Sequence, residues 1–292
     1  MAQHDDAPWT LHPDRALPAE PGVRALAREI YGHISGLPII SMHGHVDAGT
    51  IARDEGFGDA AELFVVPDHY VLRMLVSRGV RYEQLGVGAD TDHREIWRRF
   101  CEQWPAFRGT PSRYWLEHEL VEVFGVTREP SAATADAIYD RLSETLARPE
   151  YRIRSLFDRF GIELLSTTDP ATSTLDDHAV LARDGWGDRV VPTFRPDALY
   201  HPHTAHWREH LATLGERSGT DVGDFAGFLT ALRQRRGAFV AAGARASDHG
   251  HRTPDTTPLP QAEVERLYAE ALRGPLDIAS SEAFAAHLLF ET

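Results

Sequence analysis

Lysine and asparagine are absent from this 292-residue chain, and all 30 of its basic side chains are arginine. These absences exclude whole chemistries. A chain without lysine forms no Schiff base, has no phosphate-loop lysine and supplies no carbamylated lysine to bridge two metals. The single cysteine, Cys101, excludes an internal disulfide framework and a cysteine zinc cluster. No apolar run reaches the roughly 18 residues of a membrane span, and no basic-plus-apolar leader resembles a signal peptide. The expected location is the cytoplasm. Net charge is −14, which disfavours the phosphate backbone of nucleic acid as a partner and otherwise reports solubility.

What is present suits an ordinary globular protein. With 42% hydrophobic and 25% charged residues, the chain has enough apolar content for a sizeable core. The most informative stretch is LPIISMHGHVD, residues 37–47. A short apolar run bounded by Gly36 and Pro38 reads as a buried strand. Because strand side chains alternate, His43 and His45 should point the same way at its end, where they can share a metal ion. Spacing alone is weak, since 16 histidines give about one such pair by chance. The other two pairs, His201/His203 and His249/His251, follow no comparable run. A metal site in this chain must be built from histidine and carboxylate, which suits one divalent ion such as zinc, manganese or iron.

The rest of the chain divides by pattern. Residues 1–36 are polar and proline-dotted, with a short helix over 23–34, and read as an N-terminal helical cover. Residues 48–160 read almost wholly as helix, with segments 60–77 (broken by Pro67 and stopped by Gly79), 95–104, 114–124 and 132–146. After Ile162, strand candidates 163–169, 189–197 and 243–250 alternate with helices, the clearest running from an N-cap at Asp224. Strands alternating with helices imply a parallel α/β sheet.

Ionisable residues at the ends of successive parallel strands are the display of a (β/α)8 TIM barrel. The expected fold is therefore an incomplete barrel over 37–292. It holds about the first four strands, with a helical insertion over 48–160 after the first. A full barrel takes roughly 250 residues without insertions. The expectation is that this sequence is the N-terminal portion of a longer protein, and that half a barrel would leave an apolar sheet edge unpaired.

Several segments together resemble one family. HGHVD, PDHYVLRMLVSRGV (67–80), FGIELLSTTDP (160–170), VVPTFRPD (190–197) and FLTALRQRRGAFVAAGARASDHG (228–250) are similar, in order and spacing, to the uronate (glucuronate) isomerases of the amidohydrolase superfamily. The resemblance runs from about residue 20 to the end and rests on the motifs in combination. It implies reversible aldose to ketose isomerisation of D-glucuronate to D-fructuronate, and of D-galacturonate to D-tagaturonate. It also implies one divalent metal, usually zinc, on His43 and His45, proton transfer by His69 and Tyr70, and capture of the substrate carboxylate by Arg195.

Those roles agree with the chemistry. Moving a proton between C1 and C2 through an enediol needs a proton acceptor and stabilisation of charge on oxygen, and an arginine fork can hold the C6 carboxylate. Arg73, one turn beyond His69, is a further candidate for substrate contact, and Asp248 and His249 for orienting the groups that touch substrate. The bland readings are an ion-paired Arg195, a surface helix beginning at His69 and Tyr70, and a helix cap at Asp169. The cluster His201, His203, His206 and His210 reads as solvated surface. The family's later histidine and its aspartate–arginine pair have no counterpart here, so only two metal ligands are supplied. Expected partners are a hexuronate and either a second copy of the chain or a missing C-terminal half. The competing functions are a metal-dependent hydrolase acting on an amide, ester or lactone, and an inactive fragment.

Overall fold

Several helices in this protein begin where a short polar side chain, Asp59, Asp68, Asp92, Thr110, Asp224 or Asp277, accepts from the first free backbone N–H groups. In the computed structural model, which describes residues 7–292, regular structure begins with α1 (Pro21–Ile34), β1 (Ile39–Ser41) and α2 (Ala48–Arg53). A helical stretch follows: α3 (Ala60–Phe64), α4 (His69–Ser77), α5 (His93–Glu102), α6 (Pro111–His118), α7 (Ala135–Leu146) and α8 (Ile153–Arg159). Strands and helices then alternate through β2 (Ile162–Ser166), β3 (Asp169–Pro170), α9 (Asp176–Arg183), β4 (Val190–Val191) and β5 (Phe194–Arg195). Last come α10 (Trp207–Ser218), α11 (Phe225–Ala241), α12 (Gln261–Arg273) and α13 (Ile278–Glu291). Residues 1–6 of the expected N-terminal cover lie outside the described residues.

Two units emerge, each with its own core. The first takes Asp54–Phe160 together with the chain up to Leu37. Its centre is aromatic: Trp97 and Phe100 on α5, then Trp104 and Phe107, packed with Phe64, Phe124 and Leu142. On α5 the buried Ile96, Trp97, Phe100 and Cys101 recur at helical spacing, while Arg94 and Arg98 reach the carboxylates of α7. Trp97 donates its indole N–H to the Ala135 carbonyl at 3.0 Å, so its burial leaves no polar group unpaired. Beyond α6, residues Glu119–Val123 widen into a π turn, in which Phe124 N–H donates to Glu119 O at 3.0 Å. Helix α1 forms as expected, capped by Glu20, yet none of its residues is buried; Leu26 is 57% exposed.

The second unit takes Pro38–Arg53 and Gly161–Thr292. Its sheet is parallel throughout, in the order β1-β2-β4, with β3 and β5 forming a second parallel pair. Phe194, Trp207, Phe225, Phe228, Tyr268 and Phe284 form its core. Asp224 caps α11 by accepting from Gly227 N–H at 2.8 Å, and Phe225, Phe228, Leu232 and Phe239 are buried along that helix. The α/β class read from the sequence holds, as a mainly helical protein with a few short parallel strands.

Two strand expectations need correction. Strand β1 is not buried: Ile39 and Ile40 are 48% and 58% exposed, because β1 stands at the sheet edge with only β2 beside it. The fourth strand, expected over 243–250, is reduced to one bridge between Phe194 and Ser247. Its strand-like backbone bonds are those to Phe194, which donates to Ala246 O at 3.3 Å and accepts from Asp248 N–H at 3.0 Å.

Candidate active site

The histidine pair lies just past β1. The strand ends at Ser41, so His43 and His45 sit in the loop that follows and not on the strand as expected. Their rings nevertheless meet edge to face, centroids 4.9 Å apart at 89°. Gly44 between them fixes the loop to the end of β2: its carbonyl accepts from Thr168 Oγ1 at 2.7 Å, and a Cβ there would lie 3.4 Å from Ser166 O. Two imidazoles bound to one tetrahedral ion have ring centres about 5 Å apart, so the pair fits a shared divalent metal. Neither ring is hydrogen-bonded among the described residues, which leaves both free to ligate. They are two ligands where a catalytic zinc takes three from protein.

The end of β5 carries a second cluster in the same unit. Arg195 donates from Nε to Asp197 Oδ2 at 2.8 Å, and its Nη1 lies 3.1 Å from Asp248 Oδ2. Asp197 Oδ2 also accepts from Gly250 N–H at 2.7 Å. Gly250 packs against this pair: a Cβ would stand 2.7 Å from Arg195 Nη2 and 2.9 Å from Asp197 Oδ2, so a larger residue would displace those side chains. His249 stacks on Tyr200, with centroids 5.9 Å apart, and its Nε2 meets Ser247 Oγ at 3.1 Å. Its Nδ1 is buried without a hydrogen bond, as is Asp248 Oδ2, whose approach to Arg195 is an ion pair outside hydrogen-bond geometry.

Charge in this cluster is uneven. The hydrogen bond that Arg195 donates to Asp197, then the charge of Asp197 and that of Asp248, raise the Arg195 pKa and keep the guanidinium charged. Burial pushes His249 below its ordinary value despite the two nearby carboxylates, so it sits neutral at pH 7. Two carboxylates on one guanidinium leave a net negative centre; Nε is hydrogen-bonded and Nη1 ion-paired, while Nη2 has neither a hydrogen bond nor an ion pair among the described residues. Asp197 was not singled out from the sequence. The RPD tripeptide, which places a carboxylate two residues past Arg195, was the available signal.

His69, Tyr70 and Arg73 form a third group, in the other unit. Pro67 stops α3, and Asp68 then caps α4 by accepting from Tyr70 N–H at 2.7 Å and Val71 N–H at 3.2 Å. His69 and Tyr70 therefore occupy the first exposed turn of α4, rings 4.2 Å apart. The Arg73 guanidinium lies 4.9 Å from the Tyr70 ring centre, and its Nε donates to the His69 carbonyl at 3.2 Å. These contacts fix the backbone and the tyrosine face. They do not orient the imidazole of His69.

Other polar groups cluster without having been foreseen. At the end of β2, Thr167 Oγ1 donates to Asp169 Oδ2 at 2.6 Å and lies 2.9 Å from Nε2 of His178, which burial drives below its ordinary pKa. Asp169 is thus not the helix cap considered from sequence; the residue before α9 is Leu175. Asp59, Glu62 and His93 bring their ligand atoms within 4.8 Å of one another and could hold a metal ion. Asp59 is already engaged there, capping α3 through Oδ1 and meeting His93 Nδ1 at 2.6 Å through Oδ2. The His201/His203 rings stand 5.8 Å apart beside a cavity of about 280 Å³, with His203 Nδ1 at 2.7 Å from Ser281 Oγ. His206 meets Glu209 on the surface.

Known proteins resemble this chain along nearly its whole length. The glucuronate isomerase family model matches residues 23–291. A uronate isomerase of Rhizorhabdus wittichii is 48% identical over 283 residues, covering 97% of this chain and 61% of that protein. One from Rhizobium meliloti is 47% identical over 287 residues, with 96% and 61% covered. Among solved structures, the glucuronate isomerase of Caulobacter crescentus superposes with a TM-score of 0.94 at 41% identity, over 97% of this chain and 60% of that one. The uronate isomerase of Thermotoga maritima gives 0.88 at 27% identity, over 97% and 61%. The chain spans about 61% of the length of the curated relatives it matches. With a family model covering nearly all of it and relatives near half identical along its length, the chain belongs to the glucuronate isomerase family.

Proposed function

We propose that this chain carries the metal-binding and carboxylate-binding residues of a uronate isomerase that interconverts an aldose hexuronate and its ketose. The observation that carries the reading is the order of ionisable groups past successive parallel strands: the His43/His45 pair after β1, Asp169 after β2, and Arg195 with Asp197 at β5. That order is what a (β/α)8 barrel of the metal-dependent hydrolase type presents at its carboxyl-terminal face, and we assign the sheet to such a barrel. Residues 48–160 are then the helical insertion after the first strand.

His43 and His45 would hold one divalent ion, zinc by the chemistry of the donors, which when bound polarises substrate oxygens. Arg195 offers its free Nη2 edge to the C6 carboxylate, and the bracing by Asp197 and Asp248 keeps that edge in one place. Its two ion pairs more than offset its charge, so the substrate carboxylate is held by directed hydrogen bonds from the guanidinium and not by net attraction. His69 and Tyr70 are the proposed proton-transfer pair for the C2 to C1 shift, with Arg73 as a further contact to substrate oxygens.

An assay for ketose formation from D-glucuronate tests the reading. It is run with zinc on the chain alone and together with the part of its relatives that it does not match. Isomerisation is expected. Release of product from an amide or lactone without any ketose, or no turnover in either mixture, would overturn it. Within an active assembly, Arg195→Lys keeps the charge but loses the fork and should raise KM for glucuronate at least tenfold. An unchanged KM would remove Arg195 from the carboxylate site.

A further inference from the structure

The helical unit contains a cleft that the proposed chemistry does not use. About 270 Å³ of space lies between α3, α6 with its π turn, and α8, walled by Phe57, Leu63, Phe64, Leu156 and Phe160 among other apolar side chains. Only two wall residues are charged, and both are acids: Asp68 and Glu119. Apolar walls with a few convergent polar groups are the usual composition of a small-molecule site.

The two acids differ in how they are satisfied. Asp68 spends Oδ1 on the cap of α4. The Glu119 carboxyl, half-buried at the start of the π turn, makes no hydrogen bond and no ion pair among the described residues. Among the described residues, no arginine or histidine lines the cleft. A half-buried carboxylate among apolar walls is less stable than one in water, and gains from keeping a proton or from a cation brought into the cleft. In keeping with this, burial first and the charge of Asp68 second raise the Glu119 pKa to about 7.

We infer that this cleft binds a small organic cation, an aryl or short alkyl group bearing one primary ammonium, with the apolar part against the phenylalanines and the nitrogen between Glu119 and Asp68. The ammonium supplies the opposite charge that the wall lacks and can donate to both carboxylates. The apolar part replaces water against Phe57, Phe64 and Phe160. A neutral ligand of the same shape would gain only the second contribution.

Titration calorimetry of the 292-residue chain with 2-phenylethylammonium tests this, with 2-phenylethanol as the neutral counterpart. The ammonium should bind saturably at pH 8, at least tenfold more tightly than the alcohol. Between pH 6 and pH 8 its affinity should rise about tenfold, following ionisation of a carboxyl with pKa about 7. Glu119→Gln, close to isosteric, should lose at least tenfold in affinity and all of that pH dependence. Leu63→Trp, which fills the cleft, should abolish binding. No saturable binding to the parent chain, equal affinity for the alcohol, unchanged binding in Glu119→Gln, or unchanged binding in Leu63→Trp would each overturn the proposal.

Discussion

A carboxyl group among phenyl and alkyl side chains holds its proton to higher pH than one in water, and Glu119 has consequences for stability whether or not a ligand binds beside it. Its ordinary value is 4.5 and its folded value about 7, so between these the folded chain keeps a proton that the unfolded chain has released. The stability this contributes is complete below about pH 4.5 and is lost as pH rises through 7. Glu119→Gln mimics the protonated form at every pH. It should match the parent at pH 4 and exceed it by about 1–3 kcal/mol at pH 8, read from urea unfolding. A difference that does not grow with pH would show that Glu119 is already solvated. At the other unit's candidate centre, His43→Ala or His45→Ala should each weaken zinc binding at least tenfold in a chelator competition. Unchanged affinity would place the metal elsewhere, with Asp59, Glu62 and His93 the next group to vary.

At the scale of elements, what the sequence revealed depended on how local the cause was. Caps were legible because donor and acceptor lie within three residues: Asp224 before α11 is the clearest, and Pro67 correctly separated α3 from α4. The histidine pair and Arg195 were legible as motifs, and each lies close to the end of a short strand. The exposure of β1 was not, because burial of a strand is decided by what lies beside it and not by its own apolar run. Nor was the pairing of Asp59 with His93, which joins residues 34 apart in sequence. Helix α1 makes the distinction between pattern and packing measurable. Its apolar side carries Leu26, Ile30 and Ile34, each exposed, so the double change Leu26→Glu, Ile30→Glu should alter folding stability by less than about 0.5 kcal/mol, read from urea unfolding. Phe100→Ala on α5, wholly buried, should cost about 3–5 kcal/mol. Comparable losses from both would mean that α1 packs against a core after all.

The whole molecule has two cores, and Leu142 and Leu232 belong to different ones. Calorimetry should therefore resolve two transitions, with Leu142→Ala lowering one and Leu232→Ala the other, each by about 2–5 kcal/mol of local stability. A single transition moved equally by both would show one cooperative unit. The route of the chain through these units also sets a schedule. Ile39 pairs with Ile162, 123 residues later (162 − 39), and nearly all the chain between them folds into the other unit. On a ribosome adding roughly 5–20 residues each second, β1 leaves the exit tunnel about 6–25 s before its partner strand does. For that interval an apolar strand with open edges is without its neighbour, so the helical unit can form first while β1 remains a target for chaperones.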